Sequence, residues 1–116
     1  MKYRELIIQA YKDFNNRNIE AVLGSMSPEV RWPNGWEGGY LKGFDEIRDY
    51  WTRQWIKLDP VSTPIAFNNV GEDQMEVIVQ QIVKDKAGKL LFEGLVKHTY
   101  TFENGLIRSM EIALGT

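Results

Sequence analysis

The feature that most constrains this chain is a change of hydrophobic period at Asp59-Pro60. Before it, apolar residues recur at helical spacing. Tyr3, Leu6, Ile7, Ala10, Tyr11 and Phe14 form one stripe over residues 2–16, and Ile47, Trp51, Gln54, Trp55 and Leu58 form another over 43–58. Spacings of three and four put such side chains on one helix face. After it, Ile65–Val70, Met75–Lys84, Lys89–Phe102 and Leu106–Leu114 are strand candidates of period two, rich in Val, Ile, Phe, Tyr and Thr. Gly71-Glu72-Asp73, Asp85-Lys86-Ala87-Gly88 and Asn104-Gly105 supply the turns between them. Helices followed by an antiparallel meander predict an α+β fold, with the helices packed on one face of a curved sheet. The 116 residues hold one such domain, 1–116, with no room for a second core.

Between the two long helices the chain is more irregular. Asn15-Asn16-Arg17-Asn18 is a polar break, and Asn18 suits the N-cap of a short helix with Ile19, Val22, Leu23 and Met26 on one stripe. Pro28 follows, and Glu29–Trp32 reads as a short strand. Then comes VRWPNGWEGGYLKG, Val30 to Gly43, in which Trp32, Trp36 and Tyr40 are threaded among four glycines. These glycines lack the Gly-Lys-Ser/Thr ending of a phosphate loop, so they supply turns and close backbone approach instead. Asp45 and Glu46 then sit where the macrodipole favours acids, at the start of the third helix.

Composition removes whole classes of function. The chain has no cysteine, which excludes disulfides, thiolate nucleophiles and Cys-based metal sites. Its one histidine, His98, excludes a multi-histidine metal site within one chain, and no cofactor is expected. Net charge is −2 with acids and bases interspersed, so nucleic acid is not an expected partner. No segment approaches the ~20 apolar residues of a bilayer span, and the charged N-terminus lacks a signal-peptide core. The expectation is a cytoplasmic protein without membrane contact.

Four segments together carry a family likeness: AYKDFNNRNIEAVLGSM, VRWP, LKGFDEIRDYW and HTYTFENGLIRSMEI. In order and spacing the chain resembles the nuclear transport factor 2-like superfamily, the cone-shaped α+β fold shared by SnoaL-like polyketide cyclases and ketosteroid isomerases. The resemblance covers nearly the whole chain. It implies a pocket inside the cone, a small apolar or cyclic organic ligand, and homodimers that pair sheet to sheet. It does not carry the isomerase mechanism over. The carboxylate base expected just before the proline of the first strand is Trp32 here. The oxyanion tyrosine of the first helix aligns with Ala10, one residue from Tyr11, and the neutral aspartic acid of the penultimate strand aligns with His98.

His98 is the candidate catalytic residue. It shares the apolar, even-numbered face of its strand with Phe92, Val96, Tyr100 and Phe102, where an imidazole can act as acid, base or hydrogen-bond donor. Its partner depends on the last hairpin. A two-residue Asn104-Gly105 turn places His98 opposite Glu111; a three-residue loop places it opposite Met110 and makes the apolar faces coincide. Tyr11, Trp32, Trp36, Tyr40, Trp51, Trp55, Tyr100 and Met110 are the candidate ligand-binding residues, although Trp51 and Trp55 lie on the buried stripe of the third helix and read first as core. Glu37 is the one carboxylate near the aromatic loop and the candidate replacement for the absent base. The expected function is binding of an apolar or cyclic molecule, with cofactor-free acid–base chemistry or a non-catalytic binding module as the two alternatives.

Overall fold

Capping and polar breaks divide the N-terminal half as the periodicity requires. The computed structural model describes residues 3–114. Helix α1 (Arg4–Asn15) ends at the polar break, and α2 (Ile19–Leu23) starts where the Asn18 side chain accepts the Ala21 N–H at 3.4 Å. Strand β1 (Met26–Pro33) leads through the glycine loop into β2 (Tyr40–Lys42), a short strand hidden in the sequence by its glycine neighbours. Helix α3 (Gly43–Lys57) follows, its buried stripe being Ile47, Tyr50 and Trp51.

The second half is all strand: β3 (Leu58–Gly71), β4 (Gln74–Asp85), β5 (Leu90–Glu103) and β6 (Leu106–Leu114). The sheet order is β2-β1-β6-β5-β4-β3. The meander from β3 to β6 is antiparallel as expected, whereas β1 lies parallel to β6 and makes the sheet mixed.

Strand β3 begins seven residues earlier than the expected Ile65–Val70 and runs through Pro60 and Pro64. It tolerates them because it is an edge strand, where a missing N–H removes no bond to a further neighbour. Asn15 of α1 docks on this strand like an extra peptide group. Its Oδ1 accepts the Ser62 N–H at 2.9 Å, and its Nδ2 donates to the Ser62 carbonyl at 2.7 Å.

The last hairpin follows neither of the uniform registers. Asn104 and Gly105 have φ of 54° and 81°, a tight two-residue turn that pairs Glu103 with Leu106 and Phe102 with Ile107. A bulge then skips Arg108, so Thr101 pairs with Ser109 and Tyr100 with Met110. His98 therefore lies opposite Ile112, while Glu111 pairs with Thr99 on the outer face. Both sequence alternatives assumed an unbroken ladder, and the single extra residue overturns both.

Helices and the inner face of the sheet enclose one apolar core containing Ile7, Met26, Val30, Ile47, Trp51, Met75, Val77, Val79, Ile107 and Met110, all fully buried. The sheet curls around α1 and α3 and leaves part of its inner face uncovered. No helix among the described residues is long and apolar enough to cross a membrane.

Candidate functional site

The uncovered part of the inner face is a cavity of about 510 Å³. Its depth is formed by buried Tyr11, Met26, Trp51, Val96, His98, Tyr100, Ile107 and Met110. Its mouth is marked by the exposed apolar side chains Trp36, Leu91, Phe92, Ile112 and Leu114. Among the described residues, no Asp, Glu, Lys or Arg contributes to the wall.

Three buried polar groups form a chain at depth. The Tyr100 hydroxyl bonds the Tyr11 hydroxyl at 2.7 Å, and that hydroxyl lies 2.7 Å from His98 Nδ1. Alternation on β5 turns His98 and Tyr100 to the same face, and Tyr11 reaches them from the buried stripe of α1. Burial pushes the His98 imidazole down to about 4, so it is neutral near pH 7. Burial also raises both phenols, Tyr11 well above its ordinary value. Nε2 of His98 is buried and has no hydrogen-bond partner among the described residues.

Proton counting shows what this chain offers. A neutral imidazole and two phenols carry one mobile proton each, and the two bonds between them occupy two. If Tyr11 donates to Nδ1, the remaining proton sits on Nε2. If Nδ1 donates to Tyr11, Nε2 becomes an acceptor, and the remaining proton sits on Tyr11, or on Tyr100 if the bond between the two phenols reverses. The same three side chains therefore meet a carbonyl or a hydroxyl without any change of net charge.

The other sequence candidates are distributed as follows. Trp32 lines the cavity edge-on to Trp51, with ring centroids 5.8 Å apart, and is tilted against Tyr100 at 6.2 Å. Trp36 lies at the mouth, and Met110 lines the wall beside Tyr100. Trp55 is not part of the wall. It stacks behind Trp51 at 5.7 Å, edge-on to Phe14 at 5.3 Å, with the Arg17 guanidinium 5.0 Å over its ring. Tyr40 is outside the cavity altogether, because β2 pairs on the far side of β1. Its hydroxyl donates to Glu111 Oε2 at 2.7 Å, and Arg31 sits 3.8 Å over its ring.

Glu37 is also turned away. It accepts from Arg53 at 2.7 Å and from Asn34 at 3.0 Å. The Arg53 bond, with Asn34 second, holds its carboxyl below the usual range. It is thus an ion-paired loop clasp rather than a base in the cavity. Asn34 completes the clasp, its Oδ1 accepting the N–H groups of Trp36 and Glu37 at 3.2 and 2.7 Å.

Sequence reasoning passed over Phe14, Tyr50, Gln54, Ser62 and Gln81, which also line the wall. The readable signal was positional. Gln81 is the one polar residue in the inward row Met75, Val77, Val79, Gln81 and Val83 of β4.

No protein-family model and no curated protein sequence matches the chain. Solved structures do match over nearly its full length. An NTF2-like protein of unknown function from Burkholderia pseudomallei is 22% identical, with a TM-score of 0.84 over 99% of this chain and 92% of that one. TerC, co-crystallised with polyporic acid, is 25% identical, with a TM-score of 0.83 over 96% and 89%. A Mycobacterium tuberculosis protein in complex with estradiol-17beta-hemisuccinate is 17% identical, with a TM-score of 0.79 over 95% and 92%. By element order, mixed curved sheet and these superpositions, the chain has the nuclear transport factor 2-like fold, in the form shared with SnoaL-like polyketide cyclases and ketosteroid isomerase-like proteins.

Proposed function

We propose that the chain binds a neutral, largely apolar cyclic organic molecule inside the cone, with the free ring nitrogen of His98 as its polar anchor. The observation that carries this reading is an uncharged cavity wall to which His98 contributes, its Nε2 buried and without a hydrogen-bond partner among the described residues. A buried polar atom without a bond costs roughly 1–3 kcal/mol, which a ligand carbonyl or hydroxyl recovers. A charged ligand group would be stripped of water with no counter-charge to meet it. The volume is that of an ordinary small-molecule site. Complexes of fold neighbours with estradiol-17beta-hemisuccinate and polyporic acid support a cyclic organic ligand. Tyr11, Trp32, Trp36, Trp51, Tyr100 and Met110 form the binding wall in this reading.

The test is a titration with neutral cyclic ketones that follows tryptophan emission and the ¹⁵N shift of His98 Nε2 together. Both signals are expected to move with one dissociation constant. Emission that changes while Nε2 stays at its ligand-free shift would sink the proposal.

Acid–base catalysis by His98 is a second reading, favoured by the Tyr100–Tyr11–His98 chain, which moves a proton between its ends without creating a charge. It predicts exchange of the α-protons of a bound ketone for deuterium, abolished in His98→Gln. Exchange of equal rate in that variant rules it out.

We further propose that the chain pairs as a homodimer through the outer face of β3, β4 and β5. Val61, Ile65 and Leu95 are exposed there, and Ile78 and Ile82 lie on the same face by alternation.

A further inference from the structure

The His98 end of the cavity is not its only polar point. Along the inner face of β5, His98 pairs with Val77, Val96 with Val79, and Gly94 with Gln81. Gln81 in turn pairs with Ser62 on β3, and both side chains line the cavity. Ser62 is buried, and its hydroxyl is 3.4 Å from Gln81 Nε2, at the long limit of a hydrogen bond. No other described residue bonds either side-chain group. The backbone N–H and C=O of Ser62 are already taken by Asn15, so the strand is held while its hydroxyl remains available.

Position and surroundings argue for a ligand. Gln81 interrupts an inward row that is otherwise Met75, Val77, Val79 and Val83. Gln81 is half-buried, and its side-chain amide makes only the long bond to Ser62, so it keeps hydrogen-bonding capacity for a group inside the cavity. Beside it the inward position on β5 is Gly94, over which the Phe92 ring lies, 3.4 Å from where a Cβ would stand. The separation is also informative. From His98 to Gly94 is four residues, roughly 13 Å along a strand, and the inward positions between are Val79 and Val96.

Building on the binding reading above, we propose that Ser62 and Gln81 form a second polar subsite. It takes a hydroxyl or carbonyl at the far end of an elongated, rigid, neutral ligand whose near end meets His98. The ligand class is thereby narrowed from apolar cyclic molecules to those with oxygen functions at both ends of a fused or linear ring system. An amide both donates and accepts, so the subsite takes either oxygen function. Val96, the inward side chain of β5 between the two polar points, lines the cavity there and admits no polar group at the middle of the ligand.

The probes are androstanediol, whose hydroxyls sit at opposite ends of a four-ring frame, and the two androstanols that each lack one hydroxyl. Calorimetric affinities are measured for the wild type, Gln81→Leu and Ser62→Ala. Leu is close to Gln in size and continues the apolar row, so Gln81→Leu keeps the fold, which a thermal melt verifies. Wild type is expected to prefer the diol to either mono-ol by roughly tenfold, the weight of one well-made hydrogen bond. Gln81→Leu is expected to remove the preference over one mono-ol while leaving that mono-ol's own affinity unchanged. Ser62→Ala is expected to reduce the same preference in part. Equal weakening of all three probes in Gln81→Leu, or no change in the preference, overturns the subsite and leaves the binding reading standing. Failure of all three probes to bind wild type overturns both.

Discussion

An imidazole moved from water to the wall of an apolar cavity loses the hydration of its cation. Nothing beside His98 replaces that hydration, since Tyr11 and Tyr100 are neutral phenols and no carboxylate lines the wall. Its folded pKa is about 4 against an ordinary 6.5, so between these values the unfolded chain binds a proton that the folded chain refuses. Stability from this group is complete above pH 6.5 and is lost as pH falls through the window to about 4. The loss is about 3 kcal/mol, and urea unfolding of wild type against His98→Gln across that range measures it. A variant with the same acid slope as wild type would contradict the neutral, buried state of His98. At this scale alternation alone was enough to turn His98 inward with Tyr100. Ser62 and Gln81 were not legible in the same way, because uncharged polar groups blend into an ordinary strand until the neighbouring strands show what they face.

Helix boundaries were read from caps and stripes, and the structure keeps them within a few residues. Asn18 caps α2, and Lys57 is the last helical residue before Asp59-Pro60. Strand ends were less legible for a physical reason: the prolines of β3 mark a break in a central strand but are harmless at an edge, and position in the sheet is a tertiary property. The hairpin shows the same limit. Ile107 and Met110 are both buried although three residues apart, a spacing that no unbroken strand permits and that the bulge at Arg108 accommodates. Turn chemistry specified the two-residue loop. Only the competition between turn and core placed the extra residue, and with it Glu111 on the outer face, away from His98.

As a whole, the molecule presents two unlike surfaces of one sheet. The inner face is filled by helices at one end and hollow at the other. The outer face of β3, β4 and β5 carries Val61, Ile65 and Leu95 at 42%, 55% and 39% exposure, apolar side chains open to solvent on one face. Burying these across a two-fold axis makes a self-complementary contact. Sedimentation is therefore expected to show a dimer, and Leu95→Glu, which opposes two like charges near such an axis, is expected to sediment as a monomer with unchanged secondary structure. A monomeric wild type would overturn the dimer proposal. The fold class was legible from the period change, and the cone from the resemblance carried by the four segments. The charge-free wall was not, because it depends on Glu37 finding Arg53 and on Glu111 finding Tyr40 and Arg31.

The place of β6 between β1 and β5 has a further consequence, in the order of events during synthesis. β1 has been made some eighty residues before its parallel partner exists. Until β6 leaves the ribosome, the sheet is two separate pieces and the wall beside His98 is missing Met110 and Ile112. Closure must await the longest-range pairing in the chain, the kind of contact that slows folding most. Before that pairing the chain carries an open apolar trough, and the cavity wall is completed only when β6 docks between β1 and β5.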